Sequence, residues 1–248
     1  MGSLAGKVAI VTGGAQGLGR SFCEGLAREG ANILSVDLRE SKETVEAVRE
    51  AGSQAEYLQI DVTSRAETAR MAKFAMERFG RIDILVNNAA MYYGVQRKGF
   101  DEIDDAEWDK MMLVNIKGTW LPTVAVFPFM KGAGKGKIVN MASEVFFTGS
   151  QGFVHYVATK GAVIGLTRAL AIELGPHNIC INAVAPGFTD TEGSRTIADV
   201  TKYDTSRTPL RRLAKAEDIV GAVIFLCSDT ADFMTGQTIL VDGGRAMH

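Results

Sequence analysis

Tyr156 and Lys160 stand four residues apart in a stretch with helical spacing, so their side chains share one face about one turn apart. A phenol of reference pKa about 10 is a poor base at neutral pH, and a nearby ammonium favours its ionised form. Ser143 follows the apolar run 137–141, thirteen positions before Tyr156, where a hydroxyl can donate to an oxygen gaining charge. Taken singly, each has a plainer reading: Tyr156 as core packing, Lys160 as a surface charge, Ser143 as a helix cap. The histidines, His155, His177 and His248, show no metal-ligand spacing, so no metal is expected. His155 faces roughly 100° away from Tyr156 on a helix, which suits packing rather than catalysis.

A second group of residues suits phosphate. The run 8–11 leads directly into Thr12-Gly13-Gly14-Ala15-Gln16-Gly17-Leu18-Gly19, and an amphipathic stretch with Phe22, Leu26 and Ala27 on one face follows. Glycines permit a tight turn and close backbone approach, while the start of a helix offers unpaired N–H groups to a pyrophosphate. An ordinary strand-to-helix turn would read the same without Asp37, which closes the next apolar run and can accept both hydroxyls of an adenosine ribose. The carboxylate would repel a 2′-phosphate, and Gln16 and Leu38 occupy the positions where a basic side chain usually meets one. NAD is therefore expected over NADP, with Arg39 read as a solvated charge.

These residues need a scaffold. Continuous Val- and Ile-rich runs at 7–12, 32–37, 82–87, 137–141 and 179–185 suggest strands buried on both faces, with weaker candidates at 56–60 and 238–241. Helical spacing occupies the intervals, as at 64–79, 157–174 and 217–228, so strand and helix alternate. The expected fold is a single-domain α/β Rossmann-type sheet, parallel and doubly wound, of about seven strands with helices on both faces. Pro122 and Pro128 should kink or break the apolar stretch 108–130, and 131–137 reads as a solvated loop. The long polar stretch 189–212 is expected to be a lid or a disordered flap.

The chain has 248 residues, 46% of them hydrophobic, which suits one core without a linker. Its 27 basic and 29 acidic residues leave a net charge of -2, which argues against nucleic acid as a partner. Cys23, Cys180 and Cys227 are odd in number and widely spaced, so a disulfide framework is not expected. No apolar run approaches the ~18 residues of a membrane span, and a soluble, unprocessed, cytoplasmic protein is the expectation.

Taken together, Thr12-Gly13-x-x-x-Gly17-x-Gly19, Asp61-Val62, Asn87-Asn88-Ala89-Ala90, Asn115, Ser143, Tyr156-x-x-x-Lys160 and Pro186-Gly187 resemble the short-chain dehydrogenase/reductase family over the whole chain. The resemblance implies hydride transfer between an alcohol and NAD, with Ser143, Tyr156, Lys160 and Asn115 catalytic. It places Gly13, Gln16, Gly17, Leu18, Gly19, Asp37, Leu38, Asp61, Val62, Asn88, Ala89, Ala90, Tyr156, Lys160, Pro186, Gly187, Thr189 and Thr191 around the cofactor. Within that set, Asp61 and Val62 would lie beside the adenine, Ala89 on the nicotinamide-ribose side, and Asn115 would anchor a water chain to Lys160. Ala90 departs from the usual glycine, and Thr189 from a usual apolar residue. A homotetramer built on 108–130, 157–174 and the C-terminal segment is also implied.

Tyr92, Tyr93, Phe146, Phe147, Phe153 and Phe188 lie on segments expected to converge on the nicotinamide, and Tyr93, Phe146, Phe147, Phe153 and Phe188 are the candidate substrate pocket. Core filling explains the same rings equally well. Together with His155-Tyr156 and a tail from Val241-Asp242-Gly243-Gly244 to His248, they are similar to bacterial NAD-dependent 1-phenylethanol-type dehydrogenases, which implies an aryl or cyclic secondary alcohol and its ketone as the small-molecule substrate. Two alternatives stay open: a 3-oxoacyl-carrier-protein-type ketoreductase, with Arg207, Arg211 and Arg212 facing an acidic carrier, and a non-catalytic NAD-binding or scaffold protein.

Overall fold

The computed structural model describes residues 2–247, so His248, named above at the end of the tail, lies outside the described residues. Its strands are β1 (Val8–Thr12), β2 (Asn32–Asp37), β3 (Ala55–Gln59), β4 (Ile84–Asn87), β5 (Gly136–Met141), β6 (Ile179–Pro186) and β7 (Thr238–Val241). All pair in parallel in one sheet, in the order β3-β2-β1-β4-β5-β6-β7. The interior strands β1, β4, β5 and β6 are buried along their whole length, which is why their sequences are apolar without alternation. At the edges, β3 and β7 are only half-buried, and theirs are the fainter sequence signals.

The helices are α1 (Gly17–Arg28), α2 (Lys42–Glu50), α3 (Arg65–Phe79), α4 (Asp105–Met112), α5 (Gly118–Ala133), α6 (Val145–Thr148), α7 (Val154–Leu174), α8 (Glu192–Arg195) and α9 (Ala216–Cys227). Successive strand residues feed opposite layers. Ala9 and Val11 pack with Phe22 and Leu26 of α1, Val48 of α2 and Val223 of α9, whereas Ile10 packs with Met71 of α3, Val126 of α5 and Leu174 of α7. The winding reverses between β1 and β4, which leaves a crevice beyond their C-terminal ends.

Two local expectations are corrected. Pro122 and Pro128 lie inside an unbroken α5; the irregularity is a π turn, Leu113–Lys117, joining α4 to α5. The solvated loop expected at 131–137 shrinks to Gly134 and Lys135, because α5 continues to Ala133, where Gly134 at φ +70° ends it.

A buried polar ladder ties the middle of the sheet to two helices. Asn87 Nδ2 donates to Thr123 Oγ1 at 3.0 Å and to Asn140 Oδ1 at 2.9 Å, and Asn140 Nδ2 donates to Thr167 Oγ1 at 2.9 Å. Removing the central member strands two buried partners away from water. Asn140→Leu is expected to lower unfolding free energy by about 2 kcal/mol and Tm by roughly 5 °C. Calorimetric unfolding of the variant beside the parent checks this, and an unchanged Tm would show the ladder to be dispensable.

Candidate active site

Each strand of the central sheet delivers one part of the site at its C-terminal end. After β1, the chain turns through Gly13 and Gly17 in left-handed conformations, φ +67° and +54°. A Cβ on Gly19 would fall 1.9 Å from the Gly13 carbonyl oxygen and 2.6 Å from Asn88 Nδ2, so the turn closes only around glycine. Thr12 Oγ1 accepts the N–H groups of Asn88 and Ala89 at 3.0 and 3.1 Å, and Asn88 Nδ2 donates to the carbonyls of Thr12 and Gly13. The first turn of α1 is thereby presented to the crevice as an anion cradle. In this structure the Gly17 N–H donates to Glu192 Oε2 at 3.2 Å, a carboxylate on α8 standing where a pyrophosphate oxygen would sit.

Asp37 closes β2, with Oδ2 accepting the Ala15 N–H and Oδ1 the Arg39 N–H, both at 3.1 Å. Arg39 is exposed, as a solvated charge would be, and its side chain also turns back onto Gln16 Oε1 and lies 5.9 Å from the Tyr93 ring centre. A cavity of about 980 Å³ runs from Asp37, Leu38, Asp61 and Val62 past Gly13, Gln16, Leu18, Gly19, Asn88, Ala89 and Ala90 to Ser143, Tyr156 and Lys160, with Pro186, Gly187, Thr189 and Thr191 in its wall. Its length, glycine cradle and terminal carboxylate fit a dinucleotide. Thr191 also caps α8, its hydroxyl accepting the Ser194 N–H at 3.3 Å.

Tyr156 and Lys160 emerge from α7 into the inner end, both almost fully buried. Lys160 Nζ donates to the Met141 carbonyl at 2.7 Å and stands 5.4 Å from the Tyr156 ring centre. Burial draws its ammonium down to about 8. Burial also pushes the Tyr156 phenol above its ordinary value, Tyr92 adds to the rise, and a hydrogen bond with Ser143 opposes it. The lowering expected from Lys160 is not found in the protein alone, where desolvation dominates and only Ser143 opposes it. Asn115 sits in the π turn, its Oδ1 accepting the Met91 N–H at 2.7 Å and its Nδ2 donating to Thr159 Oγ1 at 3.2 Å. It reaches Lys160 only through that chain neighbour.

The aromatic candidates separate. Phe153 and Phe188 line the cavity, as does Tyr92, whose ring centre is 5.4 Å from that of Tyr156. Tyr93 also lines it but packs against Gly17 and Gly193 beside the cradle. Phe146 and Phe147 do not line it: the short helix α6 turns Phe146 outward against Gly161 and Phe147 onto the cluster of Val163 and Ile164. His155 is buried away from the cavity, 3.3 Å from Glu107 Oε1. Sequence reasoning missed Glu144, Tyr203, Arg97 and Arg245. Tyr203 stacks on Phe188 at 4.3 Å, and Glu144, next to Ser143, is 4% exposed, held up to about 7 by burial. A charged residue beside Ser143, three positions past the end of the buried β5, was the available signal for Glu144.

The family model described as enoyl-(acyl carrier protein) reductase matches residues 13–246. The chain is 38% identical to 2-dehydro-3-deoxy-D-gluconate 5-dehydrogenase of Dickeya dadantii, covering 98% of this chain and 96% of that protein. It is 37% identical to the 3-oxoacyl-[acyl-carrier-protein] reductase FabG of Thermotoga maritima, covering 97% and 98%. The crystal structure of carveol dehydrogenase from Mycobacterium avium in complex with NAD superposes with a TM-score of 0.92 at 31% identity, over 99% of both chains. With the cradle, the acid at the end of β2 and the serine, tyrosine and lysine grouped at the inner end of one cavity, these likenesses establish that the chain belongs to the short-chain dehydrogenase/reductase family of oxidoreductases.

Proposed function

We propose that this oxidoreductase uses NAD to interconvert a secondary alcohol bearing an aryl or alicyclic ring and the corresponding ketone. The observation that carries the proposal is the burial of Ser143, Tyr156 and Lys160 at one end of a cavity whose other end holds the glycine cradle and Asp37. NAD, when bound, supplies the carbon that accepts hydride. Tyr156 takes the alcohol proton, and Ser143 donates a hydrogen bond to the same oxygen as charge develops. Lys160 remains largely an ammonium at neutral pH, because its pKa is about 8, and its field favours the phenolate. Asn115 holds α7 against the segment after β4 through Thr159 and Met91. The 189–212 segment, anchored by the Asp190 N–H to the Ala214 carbonyl at 2.9 Å, acts as a lid that excludes water. Opening it would release Glu192 from the Gly17 N–H.

NAD is favoured because the Asp37 carboxylate stands where a 2′-phosphate would have to fit, while Arg39 is engaged by Gln16. The rings of Tyr92, Phe153, Phe188 and Tyr203 support a ring-bearing substrate. A ketoreductase acting on an acyl carrier is the second reading, supported by the relatives named 3-oxoacyl-[acyl-carrier-protein] reductase and by the exposed Arg97 and Arg207 at the cavity mouth. A homotetramer would cover the exposed apolar side chains of Trp108, Leu113, Val154 and Ile172 on α4, the π turn and α7. The free, buried thiols of Cys23, Cys180 and Cys227 suit a reducing cytoplasm. Among the described residues, no helix is long and apolar enough to cross a membrane.

Tyr156→Phe should reduce turnover by about a thousandfold while NAD affinity, read by fluorescence titration, stays within about twofold. In the parent, alcohol oxidation should climb as pH rises, because only the ionised phenol accepts a proton. Turnover surviving in the variant would remove Tyr156 from the chemistry.

Asp37→Ala should narrow the preference for NAD over NADP, chiefly by weakening NAD. Steady-state kinetics with both cofactors read the ratio, and equal efficiency in the parent would refute the assignment.

Initial rates with NAD across aryl, alicyclic, short aliphatic and acyl-carrier substrates test the ring pocket. A buried ring gains on the order of 2 kcal/mol over a small aliphatic group, so roughly thirtyfold preference is expected. Short alcohols or carrier-bound ketones performing equally well would assign the rings to packing alone.

A further inference from the structure

The cavity has a cationic side, formed by Arg97 at its exposed mouth and the half-buried Arg245, that a plain aryl alcohol leaves unused. Arg97 lies 4.4 Å over the Phe153 ring and donates to Ser150 Oγ and the Gln151 carbonyl, and among the described residues no carboxylate pairs with it. Arg245 lies 5.4 Å over the Tyr203 ring and donates to the Asp204 carbonyl at 3.4 Å. Both guanidinium groups line the same cavity, each lying over a ring of its wall, Arg97 over Phe153 and Arg245 over Tyr203. Phe153 in turn packs edge-on against Tyr156, with ring centres 5.9 Å apart, so the Arg97 side adjoins the Tyr156 phenol.

Glu144 is the acid facing this side, since Asp37 and Asp61 lie at the adenosine end of the cavity. Its Oε1 is 3.9 Å from Arg245 Nε, too far for a close pair, and its buried Oε2 makes no well-formed hydrogen bond among the described residues, with only the Phe188 backbone contributing to the carboxyl. A buried carboxyl oxygen without a partner is costly and calls for a polar group of the ligand. With its pKa held up at about 7, Glu144 is often protonated near neutrality and can then donate to an anion instead of repelling it.

Resting on the reaction proposed above, we infer that the substrate carries a carboxylate on the side remote from its reacting carbon, gripped by Arg97 and Arg245 and hydrogen-bonded by Glu144. Guanidinium groups stacked on rings have their orientation fixed and keep N–H edges free for bidentate contact with a carboxylate. The rings flanking them would pack against the body of the same molecule.

Calorimetry of the NAD-loaded protein tests this with two ketones that differ by one group, acetophenone and para-acetylbenzoate. NAD with a ketone cannot react, so binding is read apart from turnover. Para-acetylbenzoate should bind about tenfold more tightly or better, and Arg97→Leu or Arg245→Leu should bring the ratio of the two affinities close to one. NAD titration of each variant reports that it is folded. Para-acetylbenzoate binding no tighter than acetophenone, or not at all, would overturn the inference. So would acetoacetyl-coenzyme A binding more tightly than para-acetylbenzoate with the same arginine dependence, which would assign the cations to phosphate. Tight carboxylate binding without oxidation of the matching alcohol would instead refute the reaction and leave the anion site standing. Oxidation of neutral and carboxylated alcohols at equal efficiency, insensitive to both arginines, would do the reverse.

Discussion

Asn88 donates from its backbone and its side chain to Thr12 across the point where the winding of the sheet reverses, and the rest of the site is built outward from that lock. It fixes the turn after β1 against the segment after β4 closely enough that no side chain fits at Gly19. One consequence is that the first turn of α1 points its free N–H groups into the crevice. The other is that the segment continuing from Asn88 is delivered to Asn115, whose amide holds Met91 and, through Thr159, the helix carrying Tyr156 and Lys160. The glycine cradle and the pair of Tyr156 and Lys160 are two ends of one hydrogen-bonded frame, so displacing either strand end would move both.

Burial then sets the electrostatics inside that frame. It raises the Tyr156 phenol and lowers the Lys160 ammonium, so the two groups, nearly equal in water, are driven apart in proton affinity, each towards its uncharged form. Each alone would be disfavoured in its charged form, and the pair becomes useful when a further positive charge arrives beside the phenol. In the protein alone the phenol is therefore held in its protonated form, and on the proposed reaction it would give up that proton only with the cofactor site filled.

How much of this the sequence revealed follows from burial and distance. Strands β1, β4, β5 and β6 were readable because both faces are covered, and the edge strands were faint because their faces are only half-covered. The glycine turn, Asp37 and Tyr156 with Lys160 were legible because their partners lie at fixed short spacing or at strand ends. Pro122 and Pro128 were misread because a proline rule is local, whereas α5 runs through both and is packed by Leu121, Val126 and Met130 against the core. Phe146 and Phe147 looked like pocket residues because nearness in sequence to Ser143 says nothing about which way a four-residue helix turns. Arg245 and Tyr203 were invisible for the complementary reason: forty-two positions separate residues that stack on each other.

That last pair points to where specificity resides in such a fold. The cradle, the acid and the serine, tyrosine and lysine come from strand ends and α7, elements locked by the core, and relatives with different named activities overlay on this chain along almost its whole length. Arg97, Glu144, Phe153, Phe188, Tyr203 and Arg245 come instead from five separate connections and the C-terminal segment. None of these residues is needed to form the sheet, so their identities are free to vary with the molecule they must hold. A family resemblance therefore establishes the reaction more firmly than the substrate, and the substrate has to be argued from the charge and shape that these loops bring together. Here they combine stacked rings with two arginines and one under-satisfied acid, which favours a molecule with an apolar body and an anionic end over one that is apolar throughout.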